Sequence, residues 1–173
     1  MIECRPLMET EGHLWYSVLR SGYEDLKGFP ISFEAIGAAK EEALEWFRDN
    51  PAYGLFEDGE LCASISLRMP WGPKPGPEKY PHIGWVVTRS DKKGNGYARR
   101  LMGYVEEEIL QKELRTPAVT LGTAKEHPWL VDMYLSLGFE VLRTVQLPGK
   151  KHHTVYMIKR LGAKDETKSA FSK

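Results

Sequence analysis

Lys93-Gly94-Asn95-Gly96-Tyr97-Ala98 decides the reading of this chain, because it stands between the apolar run Ile83 to Val87 and the helix-like Arg99-Arg100-Leu101-Met102. A glycine-rich turn that leads a strand into a helix leaves several backbone N–H groups unpaired. It also points the positive end of the helix dipole at one spot, which suits a phosphate. Gly94 and Gly96 let the backbone curl towards a ligand with no Cβ in the way, and Ala98 keeps the first helical turn slim. A dinucleotide fingerprint needs a third glycine where Arg99 stands, and a Walker A loop needs Lys-Ser or Lys-Thr where Tyr97-Ala98 stand. Neither of those cradles is present.

Working outward, Val86-Val87-Thr88-Arg89-Ser90-Asp91 leads into the turn, and about one helix and one strand later comes His127-Pro128-Trp129-Leu130-Val131-Asp132-Met133-Tyr134-Leu135-Ser136-Leu137-Gly138-Phe139. These blocks, in this order, resemble the GNAT superfamily of N-acetyltransferases. Its pyrophosphate loop reads Gln or Arg, two residues, Gly, one residue, then Gly or Ala; Lys93 replaces the usual first residue, while Gly96 and Ala98 fall on the two small positions. The later block resembles the family's Asn-x-x-Ala-x-x-Leu-Tyr-x-x-Leu-Gly-Phe, with His127 in the Asn position and Tyr134 in the Tyr position.

Composition agrees with one enzyme-sized domain. The chain has 173 residues, 42% of them hydrophobic, enough for one sizeable core and too few for two comfortable ones. The domain is expected over 1–162, followed by a polar tail at 163–173 that frays. Lys plus Arg and Asp plus Glu both total 24, so nothing in the overall charge calls for nucleic acid or an anionic membrane. The local cluster Lys92, Lys93, Arg99, Arg100 beside the glycine turn reads as a neutraliser of phosphates rather than a merely solvated helix start. Two cysteines, Cys4 and Cys62, form neither a disulfide framework nor a metal motif. No run approaches the roughly 20 apolar residues of a membrane span, and the amino terminus lacks a signal peptide's apolar stretch. A cytoplasmic protein is expected, without a membrane or nucleic-acid partner and without a metal; a homodimer stays open.

Ile2 to Arg5 reads as a strand and Gly12 to Leu19 as a helix, while Ser21 to Ile36, with Gly22, Gly28 and Pro30, reads as a folded loop or broken helix. Ala38 to Arg48 is helical and stops at Asn50-Pro51. Tyr53 to Phe56 and Leu61 to Met69 form a hairpin about Asp58-Gly59, and Pro70 to Pro81, with five prolines, is a long loop. Then follow a strand Ile83 to Thr88, a helix Tyr97 to Leu114, a strand Val119 to Gly122, a helix Trp129 to Leu137 stopped by Gly138, and a closing hairpin of Phe139 to Gln146 with Thr154 to Leu161. That order predicts an α/β fold, a three-layer α/β/α sandwich with a mixed, mainly antiparallel sheet, as the resemblance also implies.

The resemblance implies an acetyl-CoA-dependent transferase that acetylates a primary amine by direct attack in a ternary complex. Coenzyme A would lie along Val86, Val87 and Thr88 like an added strand, where the next strand splays away. Its pyrophosphate would sit on Lys93, Gly94, Asn95, Gly96, Tyr97 and Ala98. Tyr134 matches the family's thiolate-protonating tyrosine, and a phenol of pKa about 10 suits that role; alternatively it caps an apolar helix face. His127 either hydrogen-bonds the pantetheine or starts the helix before Pro128. Some members place a carboxylate base five residues before the Asn, where this chain has Gly122. His82 is the substitute candidate, since histidine titrates near neutrality, although a solvated loop histidine is the favoured reading. His152-His153 read as surface residues. For the acceptor, Tyr16 to Phe33 and Met69 to Tyr80 offer Trp15, Tyr16, Tyr23, Phe29, Phe33, Trp71 and Tyr80, with Glu24, Asp25 and Glu34 to attract an ammonium. An aromatic, partly acidic pocket for a small-molecule amine is expected. Acetylation of a protein amino terminus or lysine, and a non-catalytic acyl-CoA sensor, are the alternatives.

Overall fold

The computed structural model describes residues 1–26, 28–31, 33–127 and 129–162, with the main chain alone at Asp25 and Glu34. The tail expected at 163–173 lies outside the described residues. Seven strands form one sheet in the order β1-β2-β3-β4-β5-β7-β6. They are β1 (Ile2–Pro6), β2 (Ala52–Glu57), β3 (Glu60–Arg68), β4 (His82–Thr88), β5 (Ala118–Ala124), β6 (Glu140–Val145) and β7 (Thr154–Arg160). Every pairing is antiparallel except β4 with β5, so the sheet is mixed and mainly antiparallel as expected.

Local chemistry accounts for most of the elements. Asp58 and Gly59 both take positive φ, 49° and 84°, the backbone of a two-residue hairpin turn whose twist matches the flanking strands. β2 and β3 are buried almost throughout because helices cover both faces. On one face, α1 (Gly12–Tyr23), α2 (Glu34–Gly37) and α3 (Lys40–Asp49) bury Trp15, Val18, Leu19, Trp46 and Phe47. On the other, α4 (Tyr97–Tyr104) and α5 (Leu130–Ser136) bury Leu101, Met102 and Tyr134 against Ile65, Leu67 and Met157. The broken stretch expected after Ser21 is there: α1 runs on to Tyr23, a 3₁₀ turn follows over Glu24–Leu26, and α2 is a single turn.

Two features depart from regular elements. The helix expected over Tyr97 to Leu114 changes character at Val105 and continues in wide π-helical turns to Glu113, closing with Leu114 N–H on Ile109 O at 2.8 Å. At the sheet's centre, β4 and β5 pair only at His82 with Thr120 and Ile83 with Leu121. Beyond those pairs the strands part, and the sheet opens into a V.

Candidate active site

The V opens because β4 is bulged. Ser64 pairs with Val87 and Ser66 with Gly84, so Trp85 and Val86 together oppose Ile65. Trp85 takes φ 49°, a left-handed conformation that a bulky side chain adopts only when its surroundings impose it. Its indole is stacked on Trp46 at 4.3 Å, and Trp15 lies 5.9 Å away on nearly parallel planes. The stack holds the bulge, and the bulge turns the backbone of β4 away from β5.

A cleft of about 820 Å³ fills the gap and runs from the glycine turn to the far side of the sheet. Of the candidate coenzyme residues, Val86, Val87, Thr88, Lys93, Gly94, Gly96, Tyr97, Ala98 and His127 all line it. Asn95 does not; its Nδ2 donates to Lys92 O at 2.8 Å and braces the turn from behind. Gly94 and Gly96 take φ 86° and 75°, and a Cβ at either would meet nothing within 4 Å. The turn is therefore an open cradle facing the start of α4, which is where a pyrophosphate fits. Lys93 Nζ donates to Gly22 O at 2.8 Å, tying the end of α1 to the cradle. Lys92 Nζ, at 2.8 Å, and the Tyr97 hydroxyl both bond the Glu57 carboxylate, which fixes the other side of the turn.

Tyr134 projects from α5 into the gap. It is buried, and no described residue hydrogen-bonds its hydroxyl, which burial pushes above the ordinary phenol range. A phenol held protonated beside an open cleft is equipped to donate. Tyr23 approaches the same stretch from α1, with its hydroxyl donating to Val86 O at 2.7 Å; burial and the nearby Tyr134 raise its pKa.

His82 contradicts the solvated-loop expectation. It is the first residue of β4, 4% exposed, and its Nδ1 lies 2.8 Å from Thr120 Oγ1 across the surviving β4–β5 pairs. Burial, helped by the Arg68 charge, pushes its pKa down to about 3, so the imidazole stays neutral at physiological pH. His152 also departs from the surface reading: it is 3% exposed and lines the cleft, with its ring 5.2 Å from Phe33, whereas His153 is exposed and bonds Glu126 at 2.8 Å. His127 is buried, with Trp129 N–H 3.4 Å from its Nδ1, so it lines the cleft and stands at the approach to α5 at once.

The acceptor wall is aromatic but differs from expectation. Tyr23, Phe29, Phe33, Trp46, Trp85 and Tyr156 line the cleft; Trp71 is 72% exposed, and neither it nor Tyr80 belongs to the wall. Phe29 reaches His127 at 6.0 Å and Phe33 reaches His152 at 5.2 Å, so the segment between α1 and α3 crosses the V and touches its far side. Of the acids expected there, Glu24 is not in the wall, and the side chains of Asp25 and Glu34 lie outside the described residues. Among the described residues, every charged side chain in the wall is a cation: Arg68, Lys92, Lys93, Arg99 and Lys150. No cluster of metal-ligating side chains occurs among the described residues, and no helix there is long and apolar enough to cross a membrane.

A parted sheet with an open glycine cradle at one end, a buried phenol at its middle and an aromatic chamber beyond has the form of an enzyme site with room for a coenzyme and an acceptor together. Residues 12–139 match the Acetyltransferase (GNAT) family. The chain is 43% identical over 157 residues to the S-(2-succino)cysteine N-acetyltransferase of Bacillus subtilis (strain 168), covering 91% of this chain and 94% of that one. It is 37% identical over 125 residues to the S-alkylcysteine N-acetyltransferase of the same organism, covering 72% of this chain and 70% of the relative. Among solved structures, yncA from Salmonella typhimurium, determined with its cofactor acetyl-CoA, superposes with TM-score 0.71 at 15% identity over 94% of this chain and 95% of that one. The ribosomal-protein-alanine N-acetyltransferase of Brucella melitensis superposes with TM-score 0.70 at 18% identity over 92% of this chain and 99% of that one. The chain belongs to the GNAT family and is an N-acetyltransferase, transferring an acetyl group from acetyl-CoA to an amine.

Proposed function

We propose that this protein acetylates the amino group of an S-substituted cysteine in the cytoplasm. The observation that carries this reading is the 43% identity to an S-(2-succino)cysteine N-acetyltransferase over nearly the whole of both chains. The chamber supports a small acceptor, because the Phe29–His127 and Phe33–His152 contacts bridge the V where a polypeptide would have to pass. The free cysteines Cys4 and Cys62 fit a reducing compartment.

Acetyl-CoA is held with its pyrophosphate on the Lys93–Ala98 turn and its arm along Val86 to Thr88, and it supplies the activated acyl group. Neither cysteine lines the cleft, which favours direct attack of the amine over an acyl-enzyme. Tyr134 returns a proton to the departing thiolate. His82 is neutral and bonded to Thr120, so it serves the floor of the chamber as a fixed hydrogen-bonding group, and the acceptor reaches the site with its amine already neutral or loses its proton to water.

The test is thiol release from acetyl-CoA over a panel containing S-(2-succino)cysteine, S-alkylcysteines, unsubstituted amino acids, a polyamine and an amino-terminal peptide. Release with the S-substituted cysteines at the highest kcat/KM is expected. Release confined to the peptide, or coenzyme binding with no release at all, overturns the reading.

A further inference from the structure

Two phenols line the cleft, and they come from opposite faces of the sheet: Tyr134 from α5 and Tyr23 from the last position of α1. They are close enough for a charge on one to oppose ionisation of the other. Their hydrogen bonding differs. No described residue bonds the Tyr134 hydroxyl, so its proton is free to be given. The Tyr23 hydroxyl has committed its proton to Val86 O at 2.7 Å. A phenol carries one proton and also accepts through its oxygen, so Tyr23 offers the cleft a hydrogen-bond acceptor and nothing else. Burial and the nearby Tyr134 hold it protonated, which excludes it as a base.

The position of that oxygen is fixed from several sides. Gly22, the preceding residue, is pressed so closely on β4 that a Cβ there would meet Val87 Cγ2 at 2.1 Å and Thr88 O at 2.5 Å. The Tyr23 ring packs edge-on to Phe33 at 6.4 Å. Val86 itself belongs to the bulge, a device that re-aims the backbone of a strand. With the coenzyme arm along Val86 to Thr88 and its pyrophosphate beyond the end of β4, the thioester at the other end of the arm falls beside Val86, between the two phenols.

Direct attack has a use for such an oxygen. The amine nitrogen gives its lone pair to the thioester carbon, the C–N bond forms, and the carbonyl π pair moves onto oxygen. Nitrogen then carries a positive charge and two protons. On collapse the C–S bond breaks and sulfur leaves with its electron pair, taking the proton of Tyr134. One N–H proton passes to water, and water reprotonates the phenolate. The other N–H stays on nitrogen from the free amine to the amide. We infer that this retained N–H donates to Tyr23 Oη, so that Tyr23 aims the amine lone pair at the thioester and stabilises the charge that develops on nitrogen. The inference rests on the arm placement proposed above and not on the acceptor being an S-substituted cysteine.

The experiment compares wild type and Tyr23→Phe on primary amines and their N-methyl forms: S-methylcysteine with N,S-dimethylcysteine, and an alanyl peptide with its N-methylalanyl counterpart. An N-methyl amine has a single N–H, which must leave, and so retains none for Tyr23. Tyr23→Phe is expected to lower kcat for the primary amine by on the order of tenfold to a hundredfold, the worth of a hydrogen bond to a charged group. For the N-methyl amine the loss stays below about threefold, and KM for acetyl-CoA stays within about twofold. Where no N-methyl amine turns over, binding of the acetylated products beside coenzyme A decides: N-acetyl-S-methylcysteine, whose amide keeps the N–H, loses affinity in the variant and its N-methyl form does not. Equal damage to both members of a pair overturns the inference and leaves Tyr23 a brace for the bulge, and an undiminished primary-amine rate overturns it too. Failure of coenzyme A to slow hydrogen exchange at 84–88 in wild type overturns the arm placement and this inference together. Should the alanyl peptide alone be acetylated, with the expected selective loss, the proposed acceptor falls and the role of Tyr23 stands.

Discussion

Tyr134 and His82 face the same cleft, and burial moves them in opposite directions: it holds the phenol protonated and the imidazole neutral. Tyr134→Phe removes one hydroxyl and keeps the ring that packs against Phe139 at 5.8 Å. Turnover is expected to fall on the order of a hundredfold, while coenzyme affinity measured by calorimetry stays within about twofold; full turnover at every pH would return Tyr134 to the core. His82 yields two pH expectations. The acidic limb of the rate profile should follow the acceptor amine's own pKa across a set of acceptors and survive His82→Gln, whereas a limb fixed at about 6.5 that vanishes in the variant would make His82 the base. Stability runs by linkage: the unfolded histidine binds a proton near pH 6.5 and the folded one only near about 3, so the unfolded state holds more protons between those values. Stability is therefore lost as pH falls through that window. Thermal melts should show a weaker acid dependence in His82→Gln, and parallel curves would show that His82 contributes nothing to it.

The glycines of α1 and of the cradle serve opposite purposes. A Cβ on Gly22 would meet Val87 Cγ2 at 2.1 Å and Thr88 O at 2.5 Å, so the end of α1 touches the backbone of β4 directly. Gly22→Ala should destabilise the fold by about 2 kcal/mol or more, lowering Tm by several degrees; an unchanged Tm would mean that α1 shifts freely. Gly96 has open space at its Cβ position, and its left-handed backbone costs an L-residue about 1 kcal/mol. Gly96→Asp should therefore keep the fold but abolish coenzyme binding by calorimetry, whereas Gly96→Ala keeps much of it. Unchanged affinity in the aspartate variant would remove the phosphate assignment. These elements were legible because their signals are local: Asp58-Gly59 specifies its own turn, Gly138 with φ 97° stops α5, and the cradle announces itself by its glycines. What escaped is decided by distant packing. Gly84 beside Trp85 is a weak local sign of a bulge, but the stack of Trp85 with Trp46 and Trp15, which holds it, comes from distant elements. His152 becomes buried because Phe33 closes over it from the other end of the fold, and Arg68 and Lys150 come to line one cleft only once the sheet is assembled. The π-helical turns keep Val105, Ile109 and Leu110 buried, so the hydrophobic pattern of an ordinary helix conceals them.

At the scale of the molecule, β1 to β4 and β5 to β7 form two half-sheets joined by two β4–β5 residue pairs and by the packing of α4 and α5. Beyond Ile83, β4 has no ladder partner on the side of the gap, so its main-chain groups there are bonded by solvent or by side chains such as Tyr23. A coenzyme arm laid along Val86 to Thr88 completes the ladder and spans from the cradle to the centre of the sheet. Binding must then stabilise the whole fold rather than the cradle alone. At a concentration about 100 times Kd, the gain is about 2.7 kcal/mol, which for a chain of this size raises Tm by roughly 5–10 °C. Coenzyme A should produce this shift, and ADP, which reaches the cradle without the arm and so binds more weakly, a markedly smaller one at the same concentration. Hydrogen exchange separates the causes: coenzyme A should slow exchange in 84–88 as well as 93–98, ADP in 93–98 alone, and the β6–β7 hairpin should respond to neither. Equal protection of 84–88 by both ligands would mean that the gap closes on its own once the phosphates are bound, and that the arm adds no strand to the sheet.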